Sequence, residues 1–85
     1  QLRVGMAVRG IQKLQAFEDV GYVVSMGHDE PQGSPYHGQV LVYHWRRSKK
    51  GRALKQAVVA SHPPSELVVA EDAGPLPDEV NRHIG

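Results

Sequence analysis

The chain has 85 residues, which is the size of a single domain with a small hydrophobic core. It contains no cysteine, which excludes disulfides, cysteine-based zinc sites and thiol catalysis. The net charge of +1 hides an uneven distribution: residues 1–30 carry −1, residues 31–65 carry +6 without a single acid, and residues 66–85 carry −4. A basic middle between acidic ends indicates that any partner recognised by charge is acidic.

Alternating apolar residues predict two strands in the first third of the chain. Residues 2–10 alternate large apolar side chains with small or polar ones. Residues 20–26 (VGYVVSM) do the same, with Tyr22 and Met26 on one face and Val23 on the other. The first two strands are therefore expected at these positions.

Two loops are predicted around the second strand. Residues 11–19 lack a convincing amphipathic stripe and are bracketed by glycines, so we expect a loop with Phe17 tucked inward. Residues 27–38 are rich in glycine and proline, which favours a long loop between the second and third strands.

A hairpin is predicted in the middle of the chain. Residues 39–45 (QVLVYHW) are rich in β-branched and aromatic side chains, and residues 55–61 supply a second apolar run. Between them, Gly51 can take the positive φ that a turn needs. Alternation assigns the first run to two faces, with Leu41, Tyr43 and Trp45 on one and Val40, Val42 and His44 on the other.

The last third predicts a helical turn, a strand and a terminal helix. Residues 64–67 follow two prolines and have the composition of one helical turn, and residues 67–70 form a short apolar run. Residues 77–84 begin with a proline and two acids, which favours a helix start. Eight residues are marginal alone, so this helix is expected to dock through Leu76, Val80 and Ile84.

Four segments together resemble the SH3-like small barrels, the group that includes Tudor, KOW and chromo-barrel modules. They are residues 4–9 (VGMAVR), 20–24 (VGYVV), 40–43 (VLVY) and 64–69 (PSELVV). The resemblance implies an all-β, five-stranded SH3-like barrel over residues 1–72. It leaves residues 73–85 as a linker and a short C-terminal helix packed on the barrel. Such barrels mostly bind peptide tails, nucleic acids or partner subunits.

The basic connection of the hairpin is the leading candidate binding site. Lysines and arginines on a projecting hairpin can replace the counterions condensed on a nucleic acid, and flanking aromatic rings can stack on its bases. We expect a non-catalytic module that recognises an acidic partner, nucleic acid first and an acidic protein surface second. The residues predicted to carry this binding are Arg46, Arg47, Lys49, Lys50, Arg52, Lys55, Tyr43 and Trp45.

Two alternatives remain open for this part of the chain. The first is a protein–protein interaction module, either a peptide reader or a docking or homo-oligomerising subunit, whose basic turn is a solvated tip that protects the sheet edge. The second is an aromatic pocket around Tyr22 and Tyr36 that holds a methylated ammonium, against which stands ordinary packing of these rings in a small core.

Catalytic, metal and membrane functions find no support in the sequence. His28, Asp29, Glu30 and His37 share one loop but not a recognised zinc-ligand spacing. No nucleophile elbow or phosphate-binding loop is present. No apolar run reaches the roughly 18 residues of a membrane span, and no signal-peptide pattern opens the chain. We therefore expect an intracellular protein, cytoplasmic or nuclear, with no catalytic residue, metal, cofactor or membrane.

Overall fold

The computed structural model describes residues 2–12, 17–27, 30–46 and 56–84. These residues form one antiparallel sheet of five strands, a 3₁₀ turn before the last strand and one short helix. The strands are β1 (Ala7–Gly10), β2 (Gly21–Met26), β3 (Val40–Trp45), β4 (Ala57–His62) and β5 (Leu67–Val69). The 3₁₀ turn is Pro64–Glu66 and the helix α1 is Asp78–His83. The predictions of five strands, a helical turn and a C-terminal helix are confirmed.

The order of the strands in the sheet is β4-β3-β2-β1-β5, so β4 and β5 lie at the two edges. All described ladders are antiparallel. No ladder joins β4 to β5 within the described ranges, so the sheet is not closed into a barrel. The all-β class is therefore confirmed, and the closed SH3-like barrel is not.

The central hairpin is confirmed by the β3–β4 ladder. Six residue pairs run without a break from Val40↔His62 to Trp45↔Ala57. One further pair continues the ladder, because the backbone N–H of Arg46 donates to the carbonyl oxygen of Gln56 at 2.8 Å. Residues 47–55, which connect the two strands, lie outside the described residues.

The first strand is shorter than the alternation predicts. It begins at Ala7, because the chain before it turns at Gly5, whose φ of +92° is outside the extended region. The backbone N–H of Met6 closes this turn on the carbonyl oxygen of Arg3 at 3.1 Å. Val4 lies in this turn and is 42% exposed, although it belongs to the apolar alternation of residues 2–10.

A bulge in β2 changes which face its last residues occupy. The register against β3 shifts between Val23 and Ser25, which inserts one extra residue into β2. Because side chains alternate along a strand, one extra residue moves those that follow to the opposite face. Met26 therefore packs with the cluster of Val23, and the prediction that it shares a face with Tyr22 is wrong.

The sheet carries one hydrophobic cluster on each face. The first cluster is entirely aliphatic and consists of Val8, Val23, Val40, Val42 and Leu67. The second is aromatic and joins Tyr22 and Tyr43 to Val80 of α1. The assignment of Val40 and Val42 to one face of β3 and Tyr43 to the other is confirmed.

The helix α1 covers the aromatic face of the sheet. Val80 is fully buried there, and Leu76 and Ile84 pack around the same cluster, as the sequence predicts. No helix among the described residues is long and apolar enough to cross a membrane. The short α1 is held by this packing, since six residues form too few internal hydrogen bonds to persist alone.

Replacing Val80 by alanine is expected to lower the free energy of unfolding by about 1–2 kcal/mol, because the missing methyl groups leave a void beneath α1. Urea denaturation followed by the fluorescence of Trp45 measures this change. The matched control is Asn81→Ala on the exposed side of the same helix, expected to stay within about 0.5 kcal/mol of the unmodified protein. Equal effects of the two substitutions would show that α1 is not docked through Val80.

Candidate nucleic-acid interface

The basic connection leaves the sheet at one end of the β3–β4 ladder. Arg46, the first of its six bases, is exposed and belongs to the last described pair of that ladder. Its predicted companions lie outside the described residues; they are Arg47, Lys49, Lys50, Arg52 and Lys55. The ladder nevertheless fixes where the segment starts and ends, because Arg46 and Gln56 are directly paired.

The backbone at this end of β3 is held from both sides. On the side away from Gln56, Arg46 forms a bridge with Phe17. There the N–H of Glu18 donates to the carbonyl oxygen of Trp45 at 2.8 Å. Trp45 and Arg46 are therefore presented from a backbone that is paired on both flanks.

Trp45 is partly buried at this end of the sheet, where it packs against the aromatic cluster. It meets Tyr22 edge to face, with 5.9 Å between ring centroids and 86° between planes. It meets Tyr43 in a similar way at 5.4 Å and 68°. These contacts fix the orientation of the indole against the aromatic cluster, as edge-to-face pairs do.

The other aromatic candidates differ in their accessibility. Tyr22 and Tyr43 are buried in the aromatic cluster, so neither ring has a free face in this structure. The hydroxyl of Tyr43 donates to the Glu79 carboxylate at 3.1 Å, and burial together with this bond raises the pKa of Tyr43. Tyr36, by contrast, is 47% exposed in the loop before β3. Of the predicted aromatic residues, Tyr36 is exposed and Trp45 is partly buried, so these two retain surface in contact with solvent.

Arg9 lies in an ion-pair cluster of its own. Its guanidinium forms a two-pronged contact with Asp72, at 2.7 and 3.1 Å, and donates from Nε to Asp19 at 2.7 Å. The hydrogen bonds from Arg9 hold the pKa of the Asp72 carboxyl below its usual range. This cluster ties β1 to the segments that follow β1 and β5, and it balances the charge of Arg9 locally.

A buried histidine pair lies on the aliphatic face, and the sequence did not reveal it. The Nε2 atoms of His44 on β3 and His62 on β4 are 2.8 Å apart, and His44 is only 2% exposed. The ring of Phe17 stacks on His44, with centroids 4.3 Å apart and planes at 9°. The only available signal is that His44 follows Val40 and Val42 at the spacing of a core-facing position.

The geometry of this pair defines its protonation. Two neutral rings that share one hydrogen bond must be one donor and one acceptor. The Nδ1 atom of His44 is buried without a partner, and an unpaired acceptor costs less there than an unpaired N–H. His44 therefore donates from Nε2 and His62 accepts. Burial, helped by repulsion from His62, lowers the pKa of His44 to about 4, and burial also lowers the pKa of His62.

Metal-binding clusters are absent from the part of the chain that the structure describes. Of the four loop residues considered as ligands, His28 and Asp29 lie outside that part, while Glu30 and His37 lie within it. The ring Nδ1 of His37 is 2.8 Å from the backbone carbonyl of Glu30 and is hydrogen-bonded to it.

No protein-family model, curated protein or solved structure matches this chain. The end of the β3–β4 ladder, where the basic segment begins at the exposed Arg46 beside the partly buried Trp45, is the candidate functional site.

Proposed function

We propose that the protein is a non-catalytic module that binds nucleic acid through the basic connection between β3 and β4. One observation carries this proposal. Residues 46–55 contain six bases and no acid, and the two ends of that segment are paired at Arg46 and Gln56, beside the partly exposed Trp45. All six bases are thus tethered to one end of the sheet, a concentration of charge that the net +1 conceals.

The side chains of this proposed site suit single-stranded nucleic acid better than a duplex. Arginine and lysine side chains neutralise phosphates and release counterions, which gives affinity without sequence preference. The accessible part of Trp45 can stack on a base only where that base is not already stacked and paired in a helix. Tyr22 and Tyr43 contribute indirectly in this proposal, because they hold the indole in place.

Two features support a closer relationship to the SH3-like barrels. The five short strands and the 3₁₀ turn immediately before β5 are what the resemblance leads us to expect. We propose that the chain is an open variant of this arrangement, and that its binding surface is the hairpin end and not a barrel groove.

The test is a titration with a short oligothymidylate, followed by the fluorescence of Trp45 and by the anisotropy of a labelled oligonucleotide. We expect quenching of Trp45 and binding that weakens between about 50 and 200 mM salt. Replacing Arg46, Arg47, Lys49 and Lys50 together with alanine is expected to remove binding at the higher salt. The slope of log K against log salt should become less negative by up to about 3, at about 0.7 for each phosphate that is no longer neutralised.

Two double variants test whether binding depends on the bases of this connection or on the overall positive charge of the protein. Arg47→Ala with Lys49→Ala removes two bases from the connection, and Arg3→Ala with Arg82→Ala removes two exposed bases elsewhere. Only the first pair is expected to weaken binding. Equal losses in both, or no binding by the unmodified protein at low salt, would contradict the proposal.

A further inference from the structure

The edge strand β4 has β3 on one side and no described strand on the other. Edge strands are usually protected by charged side chains, prolines or bulges, because their free backbone groups can pair with another chain. The residues of β4 (AVVASH) include no lysine, arginine, acid or proline, and its ladder with β3 has no register shift. Among the described residues nothing pairs with this edge, which leaves it available to a further strand.

The pairing of Arg46 with Gln56 shows which backbone groups of β4 are free. Hydrogen-bonded and non-hydrogen-bonded pairs alternate along an antiparallel ladder, and Arg46–Gln56 is a hydrogen-bonded pair. It follows that the N–H and C=O groups of Ala57, Val59 and Ser61 point away from β3. The side chains of these same residues are exposed on the face that carries α1, with Val59 39% exposed.

We propose that β4 pairs antiparallel with β4 of a second copy of this chain, about a two-fold axis at Val59. In this register Val59 lies opposite Val59 of the second copy, and Ala57 lies opposite Ser61. All three residues have outward-pointing backbone groups, so the paired strands form about six N–H···O=C bonds. The exposed Val59 side chains cover each other, which gives the self-complementary contact of a two-fold dimer.

Charge favours a second copy in this antiparallel orientation. Gln56, where each basic connection joins its copy of β4, then lies at opposite ends of the paired strands in the two copies, about 20 Å apart at 3.4 Å per residue. That separation exceeds the Debye length of about 8 Å at physiological salt, so repulsion between the two basic ends is screened. The same register places His62, and with it the start of the turn that leads to the exposed Glu66, opposite Gln56 of the other copy. Parallel pairing would instead place both sets of bases side by side.

The dimer does not depend on nucleic-acid binding, since it uses the edge of β4 and not the basic side chains. Its two binding segments would project from opposite ends of a ten-stranded sheet. A single strand pair buries less surface than a standard interface, so we expect reversible association at micromolar or higher concentration.

The experiment is sedimentation velocity on the unmodified protein from micromolar to near-millimolar concentration, together with two variants. Val59→Lys places two like charges opposite each other at the axis and is expected to raise the dimer dissociation constant about tenfold or more. The matched control is Val68→Lys on β5, the other edge strand, where the valine is 45% exposed. It is expected to leave the dimer unchanged.

Three results would overturn the inference: a monomer throughout the concentration range, an unchanged dimer in Val59→Lys, or an equal loss in Val68→Lys. Near-ultraviolet circular dichroism verifies that each variant is folded. If Val59→Lys does not fold, the double variant Ala57→Lys with Ser61→Lys serves the same purpose, because these two exposed residues lie opposite each other across the axis. A dimer unaffected by that double variant would then reject the proposal.

Discussion

Replacing Gly27 by alanine is expected to lower the free energy of unfolding by about 3 kcal/mol or more. A Cβ atom at this position would overlap the backbone carbonyl oxygens of Tyr36 and Gln39. Backbone atoms cannot move aside as the end of a flexible side chain can. The neck of the loop between β2 and β3, where Gly27 approaches the backbone of residues 36–39, would therefore have to open.

The reason for this crowding is the way the loop closes. The carbonyl oxygen of Gly27 accepts from the N–H of Glu30 at 3.0 Å, and the N–H of Gln39 donates to the carbonyl oxygen of Tyr36 at 2.9 Å. Each bond closes a turn at one end of the loop, and the two ends lie side by side because Met26 pairs with Val40. Opening the neck would disturb the start of the β2–β3 ladder, which begins with Met26 opposite Val40.

Gly33→Ala is the matched control because it adds the same methyl group to the same loop. Gly33 has a φ of +96°, and no atom lies within 4 Å of the position that a Cβ would take, so alanine meets backbone strain there but no collision. We expect a cost of about 1 kcal/mol. Urea denaturation followed by Trp45 fluorescence compares the two. A cost for Gly27→Ala no greater than that for Gly33→Ala would contradict the close approach at the loop neck.

Between pH 6.5 and about 4, the buried histidine pair is expected to reduce the free energy of unfolding by about 3 kcal/mol. The pKa of His44 is about 4 in the folded protein, chiefly because burial disfavours the charged ring, against 6.5 for an exposed histidine. The unfolded chain therefore takes up this proton from pH 6.5 downward while the folded protein does not. Each pH unit of that difference costs about 1.4 kcal/mol.

The direction of this pH dependence distinguishes the buried His44 from a histidine in a salt bridge, which would stabilise the folded state as it became protonated in acid. Stability from His44 is complete above pH 6.5, falls as the pH decreases, and stops falling below about pH 4, where the folded state is protonated too. His62 adds to the loss in the same direction, since burial lowers its pKa as well, although the nearby Glu66 opposes this.

Denaturation in urea at a series of pH values tests this expectation with two variants. His44→Phe keeps a ring against Phe17 but removes the proton, so the stability of this variant should depend less on pH, whatever its absolute value. His37→Gln, in the exposed loop before β3, is the control and should retain the acid sensitivity of the unmodified protein. An identical pH dependence in all three proteins would exclude His44 as the cause.

Local chemistry in the sequence determines most of the secondary structure. The β-branched run before Trp45 makes β3, the paired prolines end β4, and the acids after Pro77 begin α1. The same reasoning assigns Val42 and Tyr43 to opposite faces, because alternation is a property of the extended backbone alone. The concentration of bases in residues 46–55 is likewise visible without any coordinates.

The tertiary structure decides what depends on residues distant in the chain. The bulge in β2 exists only against β3, and it moves Met26 to the aliphatic face. His44 and His62 are 18 positions apart, so their contact and the lowered pKa of His44 follow from strand pairing. The burial of Tyr43 follows from the docking of α1, and the open edge of β4 follows from the order of the strands in the sheet. Sequence patterns describe one strand or helix at a time, whereas these features are set by the pairing and packing between them.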